Sequence, residues 1–239
     1  MIINAHDLHF KELNDLIRDS NEDIVINNCI GQRYICSGMN NKNVTINGTP
    51  GNALGSYLDG SRIFVNGNAQ DAVGDTMNEG TIIIDGHAGD ALGYAMRGGK
   101  IFVRDDSGYR TGIHMKAYGE KKPLIIVGGS AGSFLGEYLA GGTIIVLGLK
   151  GKTPLVGEFA GTGMHGGRIF LRCQDLPQDL PRQVSSSVAS SEELAEIENH
   201  LKEYCDIFSL DFHDIMNSKF YLLKPNATNP YKQLYTTYC

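Results

Sequence analysis

The chain has 239 residues, 41% hydrophobic and 20% charged, with 30 glycines and no tryptophan. That suffices for one sizeable domain with terminal additions. A formal net charge of −6, with no basic cluster interleaved with aromatics, argues against nucleic-acid binding. No apolar run reaches bilayer-spanning length, and Met1-Ile2-Ile3-Asn4 leads into charged residues rather than a secretory signal. The five cysteines are odd in number, widely spaced and form no CxxC pair. Neither a zinc knuckle nor an iron–sulfur cradle is written locally, and the expectation is a cytoplasmic protein with reduced, mostly buried thiols.

In chain order, Leu8, Leu13, Leu16 and Ile17 stand at helical spacing and predict a short amphipathic helix within residues 7–19. The N-terminal segment 1–24 is read as a helical cap over an exposed strand edge, which would otherwise invite aggregation.

From Val25 onward, short β-like runs with glycine-rich tails recur. They begin at Val25, Val44, Ile63, Ile82, Ile101, Ile125 and Ile144, with a partial eighth at Ile169. The first four steps (25 to 44, 44 to 63, 63 to 82, 82 to 101) are each 19 residues. A fixed period near this length marks a solenoid. The several glycines per repeat would each cost a helix about 1 kcal/mol, which argues against a helical solenoid. One repeat can trace a coil of short strands, stacked about 4.8 Å from the next. Residues 25–172 therefore predict an all-β solenoid, a right-handed parallel β-helix of about seven coils, with short helical additions at both ends; strand twist and crossover handedness set the hand.

Within each coil, first and third strand positions are apolar: Ile63 and Val65, Ile82 and Ile84, Ile101 and Val103, Ile125 and Val127. A second apolar column runs through Leu54, Val73, Leu92 and Leu135, each followed by a glycine (Gly55, Gly74, Gly93, Gly136). A third is Leu58, Met77, Met96, Met115 and Leu139. Stacked, these columns form a continuous core, with glycines where φ is positive or a neighbour is close. Asn47, Asn66 and Asp85 align as a polar corner ladder; an ion site there is the less economical alternative, since Asn and Asp favour turns.

Two repeats are elongated, within Asp105 to Pro123 and within Gly148 to Gly167, where solenoids extrude loops on a binding face. The second contains Gly161-Thr162-Gly163-Met164-His165-Gly166, a literal GxGxxG. A dinucleotide fingerprint would open a helix, and here Ile169-Phe170-Leu171 continues as a strand. Catalytic constellations are absent: His87, His114 and His165 lie in separate coils without metal spacing. Asp71 and Asp90 share a repeat position but sit in turn-like DAVG and DALG segments, aligned with Asn52 and Ser133, so a turn role is expected rather than a carboxylate pair.

Residues 173–239 hold a connector, a helix and an aromatic tail. Ser190-Ser191-Glu192-Glu193 reads as a capping box, followed by Leu194, Ile197, Leu201 and Tyr204 on one helix face. The tail carries Phe212, Phe220, Tyr221, Tyr231, Tyr235 and Tyr238, and two placements are open for it, along the solenoid or against a partner.

Four segments carry a family resemblance: Gly112-Ile113-His114-Met115-Lys116-Ala117-Tyr118, Phe134 through Gly142, Ile145 through Leu149, and Gly161 through Gly167. Together with Gly31-Gln32-Arg33-Tyr34-Ile35, Lys224-Pro225 and Asn229-Pro230-Tyr231, they resemble the C-terminal GXGXG domain of glutamate synthase, above all its stand-alone forms. The resemblance covers about Val25 to Arg172. It implies a right-handed β-helix without catalytic, cofactor-binding or metal residues, whose motif glycines here are Gly55, Gly74, Gly93, Gly112, Gly136, Gly161, Gly163 and Gly166.

It also implies partners. The full enzymes join a glutamine amidotransferase to an FMN and iron–sulfur synthase in glutamate biosynthesis, with the β-helix as scaffold. This chain has no cysteine after Met1, no cluster-spaced cysteines and no flavin barrel, so it cannot run that reaction alone. FMN and the cluster are expected in a partner subunit, with His114, Lys116, Tyr118, Glu137 and His165 as candidate contacts. Related forms occur within formylmethanofuran dehydrogenase and N-methylglutamate synthase, and an independent small-molecule- or glycan-binding β-helix is a reading of another class. A homo-oligomer formed through unprotected edges also stays open.

Overall fold

A computed structural model describes residues 1–151 and 154–226. The expectations for Asn229-Pro230-Tyr231, Tyr235, Tyr238 and Cys239 lie outside the described residues. The predicted β-solenoid is present. Strands β1 (Ile2–Asn4), β2 (Ile24–Ile30), β3 (Asn43–Thr49), β4 (Asp59–Asn66), β5 (Glu79–Ile84), β6 (Lys100–Val103), β7 (Leu124–Val127), β8 (Ala140–Val146) and β9 (Gly166–Arg172) stack in sequence order, every neighbouring pair parallel. The register repeats the period: Val44 pairs with Ile63, Ile63 with Ile82, Ile82 with Ile101, Ile101 with Ile125 and Ile125 with Ile144. Identical positions thus lie on top of one another, and every residue of the three apolar columns named from the sequence is buried.

Each coil has one true strand. The second run of the repeat shrinks to a single bridging residue, in the column Ala69, Ala88, Ser107, Ala131 and Val156. The corner ladder is real: Asn66 Nδ2 donates to Asn47 Oδ1 at 2.6 Å and Asn47 Nδ2 to Asn27 Oδ1 at 2.7 Å. Further on, Arg104 donates to Asp85 at 2.6 Å. Asp71 and Asp90 take the turn role: each carboxylate accepts a backbone N–H of the next coil, from Asp90 at 2.9 Å and Tyr109 at 2.8 Å.

The period did not reveal β1, which precedes helix α1 (Phe10–Asp19) and extends the sheet by one strand. α1 buries Leu13, Asn14 and Ile17. Asn14 has a specific task. Later coils send the N–H of the motif glycine back to the preceding coil, as Gly74 does to Leu54 at 2.8 Å. The equivalent Cys36 has no such coil behind it, and Asn14 Oδ1 accepts its N–H at 2.9 Å. A buried donor left unpaired would cost about 1–3 kcal/mol.

At the other end the direction reverses. β11 (Phe220–Pro225) pairs antiparallel with β9, and β10 (Val184–Val188) pairs antiparallel with β11 as the last strand of the sheet. Helix α2 (Ser191–Phe208) begins with the predicted capping box, closed by both Ser190–Glu193 hydrogen bonds. α2 and the short α3 (Phe212–Met216) lie on the outer face of the sheet. There Ile83, Phe102, Ile126, Ile145 and Phe170 form a second core with Ile197, Leu201, Tyr204 and Phe220. Tyr204 anchors the helix by donating its hydroxyl to Val103 O at 3.0 Å. Among the described residues no helix is long and apolar enough to cross a membrane.

Candidate functional site

Opposite the strands, each coil turns through three alternating left-handed residues. In one coil these are Phe134 (φ 62°), Gly136 (63°) and Tyr138 (53°); in the next, Phe159 (62°), Gly161 (75°) and Gly163 (69°). Along the triplet the N–H direction alternates: the outer two positions bond forward to the next coil and the middle one backward to the preceding coil. Phe134 N donates to Glu158 O and Tyr138 N to Thr162 O, both at 2.8 Å, whereas Gly136 N donates to Thr111 O at 2.8 Å. Each coil is thereby stitched to both neighbours.

The middle position faces the core. At Gly74, a Cβ would stand 2.5 Å from Ile101 Cδ1, a fully buried atom, and φ is +68°. From Ala72 onward the outer positions are at least partly exposed and accept side chains despite their strain, so glycine dominates the middle column, where the first coil alone among the described coils carries another residue, the buried Cys36 (φ 60°). The GxGxxG string follows from the same geometry. Gly161 is the middle residue, the Tyr138 ring covers Gly163, and Gly166 opens strand β9 against Ala140 O.

The two outer columns make a face. One runs Ala53, Ala72, Ala91, Arg110, Phe134 and Phe159; the other runs Tyr57, Thr76, Ala95, His114 and Tyr138. In the last coils the side chains stack along the solenoid axis. Arg110 lies 4.8 Å from the Phe134 ring centre and Phe134 stacks on Phe159 at 5.1 Å. His114 stacks on Tyr138 at 5.0 Å and 10°, and Tyr94 meets His114 edge-on at 5.9 Å. Glu137 joins the rows by accepting from Arg110 Nε at 3.1 Å.

His114, Glu137, Arg110 and Tyr138 are therefore brought together. Lys116 is exposed beside them. Tyr118 sits on the elongated loop, 66% exposed, in a tight turn with reciprocal backbone bonds to Lys121. His165 is half-buried in the following coil, its Nδ1 3.3 Å from Gly163 O. Sequence reading missed Arg110, Phe134 and Phe159; their shared offset from the motif glycine was the available signal.

Among the described residues no three of His, Cys, Asp and Glu are gathered as a metal site. Burial pushes the Cys29 thiol up to about 11 and the Cys36 thiol up to about 12, holding both protonated in the core. Thiolates are the metal-binding form; Cys173 follows the end of β9 and Cys205 lies on α2. A separate open groove of about 930 Å³ lies between the second elongated loop and the connector, lined by Phe134, Leu155, Arg172, Leu176 and Leu180.

Residues 17–226 match the GXGXG motif family. The chain belongs to that family. This GXGXG protein is 42% identical to an uncharacterized protein of Methanocaldococcus jannaschii, over 99% of its own length and 96% of the relative's. Among solved structures, a chain of the formyltransferase/hydrolase complex (FhcABCD) from Methylorubrum extorquens, determined with methylofuran, superposes with a TM-score of 0.65. That match has 19% identity and covers 84% of this GXGXG protein and 72% of the other chain, so it speaks to the fold.

Proposed function

We propose that this protein is a non-catalytic scaffold subunit, holding a glutamine amidotransferase and an FMN and iron–sulfur synthase in one glutamate-synthase-type complex. The observation that carries the reading is the double row of left-handed outer residues. It is exposed, aromatic and cationic at one end, flattened by Ala72, Ala91 and Ala95 in the middle, and held by backbone bonds to both neighbouring coils. Such a face offers rigid anchors, which interfaces favour in Tyr, Phe and Arg. Its chemistry is contact rather than catalysis. In this reading FMN and the cluster belong to the partner.

A second reading, supported by the fold shared with a chain of the formyltransferase/hydrolase complex, makes it a subunit of a formylmethanofuran-type complex. A glycan platform is disfavoured, because the rings in the last coils spend their faces on one another. The ligand-binding alternative has a candidate in the 930 Å³ groove, and a thermal-shift screen without a hit counts against it.

The experiment is a tagged pull-down from the native host with mass spectrometry and an absorbance spectrum. A coloured eluate holding an amidotransferase and a flavin–iron–sulfur protein supports the first reading, and a formyltransferase supports the second. A colourless eluate holding this chain alone speaks against both. Deletion that leaves glutamine-dependent glutamate formation intact under nitrogen limitation rejects the glutamate pathway.

A further inference from the structure

The sheet ends on β10, and β10 is unlike the strands that guard the edges of other sheets. Its sequence, Val184-Ser185-Ser186-Ser187-Val188, contains no charge and no proline, and all but Val184 are exposed. Edges are normally blunted by Lys, Pro, bulges or a covering element. Among the described residues no strand lies on the outer side of β10.

The hydrogen-bond parity of this edge is readable. Ala189 N donates to Phe220 O and Asn226 N to Gln183 O. With the pairing of Ser186 to Leu223, the odd-numbered residues of this segment spend their backbone groups on β11, since antiparallel ladders alternate. The even-numbered Ser186 and Val188 therefore aim N–H and C=O outward, as Val184 aims its C=O; the Val184 N–H is taken by Pro181 O at 2.9 Å.

The strand is also a palindrome. Placed antiparallel to itself about Ser186, it sets Ser186 opposite Ser186, Val184 opposite Val188 and Ser185 opposite Ser187. The Ser186 pair then exchanges both of its bonds, each Val188 N–H meets a Val184 C=O, and no like charges face each other; the four bonds leave only the Val188 C=O groups to solvent. Beyond the strand, the same register sets Arg182 of one copy opposite Ser190 of the other, next to the exposed Glu192 at the start of α2, while Glu193 stays paired with Lys224. Positive thus meets negative at both ends. Such self-complementarity is what a two-fold interface requires.

We propose that β10 is a homodimerisation edge, pairing antiparallel with β10 of a second copy across a two-fold axis at Ser186. The two sheets then continue through the axis as one. The pairing uses neither the Arg110–Phe159 row nor the His114–Tyr138 row, so a dimer leaves the proposed hetero-partner face open. Five-residue strands bury far less than the roughly 1,200 Å² of a stable complex. Dimerisation is accordingly concentration-dependent.

The test is sedimentation velocity of the full chain from about 1 to about 200 µM, the range in which a micromolar dimer dissociates. The wild type is expected to move from monomer to dimer. Ser186→Pro removes only an outward N–H and should stay monomeric throughout with an unchanged melting temperature. Ser186→Cys, under mild oxidation, should give a 186–186 disulfide detectable by peptide mass spectrometry, because facing Cα atoms stand about 5.5 Å apart. Ser185→Cys should not, its two-fold mate lying a diagonal of about 7–8 Å away. A wild type that is monomeric over the whole range overturns the proposal. So does a dimer that survives Ser186→Pro and yields no 186–186 bond.

Discussion

The strand side and the turn side of the solenoid share one period and one core, yet they end differently. On the strand side, outward residues from Ile83 onward are apolar and disappear beneath α2. On the turn side, outward residues of the same coils are Arg110, His114, Phe134, Tyr138 and Phe159, and among the described residues no helix covers them. Under the proposed function the aromatic residues of the turn side are partner anchors, whereas those under α2 serve stability. The difference teaches that outward apolar character in a solenoid acquires meaning only when its covering element is known.

The comparison can be broken at four points. Two large effects of similar size are expected, the first inside the turn side. Gly74→Val forces a β-branched residue to φ +68° and drives its Cβ into Ile101. Left-handed strain of about 1–2 kcal/mol and overpacking of about 1–3 kcal/mol add up to about 2–5 kcal/mol. Urea denaturation should show a lower midpoint or no folded protein.

Next, Phe102→Ala under α2 should cost about 3–5 kcal/mol. Phe64→Ala, at the same register position but only half-buried, should cost clearly less in the same titration. Equal losses would mean that α2 adds no burial beyond what Phe64 already has.

Tyr204→Phe should cost about 0.5–1.5 kcal/mol through the lost bond to Val103 O. Burial, the main cause, also raises the Tyr204 pKa above its ordinary value of 10.0. A raised folded pKa contributes stability that is complete below the unfolded value and is lost as pH climbs past it toward the folded one. The wild type should therefore weaken above about pH 10, and the phenylalanine variant should show a shallower alkaline decline in thermal melts.

An equally modest effect on folding should come from the exposed row. Phe159→Ala removes one stacked aromatic pair, worth about 0.5–1.5 kcal/mol. Arg110→Ala should move the melting temperature little. Both should sharply reduce partner recovery in the pull-down; unchanged recovery would move the docking face elsewhere.

Much of the solenoid was legible because stacking makes local pattern and tertiary contact the same thing. Ile63, Ile82 and Ile101 occupy equivalent places in the chain and are neighbours in space. The capping box of α2 was legible for a similar reason, since it closes within four residues. What did not repeat stayed hidden. β1 is three residues without a period, and the role of Asn14 depends on the missing coil behind Cys36. The triplet of left-handed residues was visible only as its glycine, because Phe134 and Tyr138 carry no composition signal for positive φ.

The sequence by itself determined the coil length, the inward columns, the position of the motif glycine and the start of α2. All of these follow from local chemistry repeated along the chain. Only the tertiary structure decided where α2 lies, that β10 and β11 reverse the sheet direction, and which outward residues α2 covers. Those outcomes rest on contacts between segments far apart in sequence, such as Tyr204 with Val103, and no periodicity encodes a contact that occurs once.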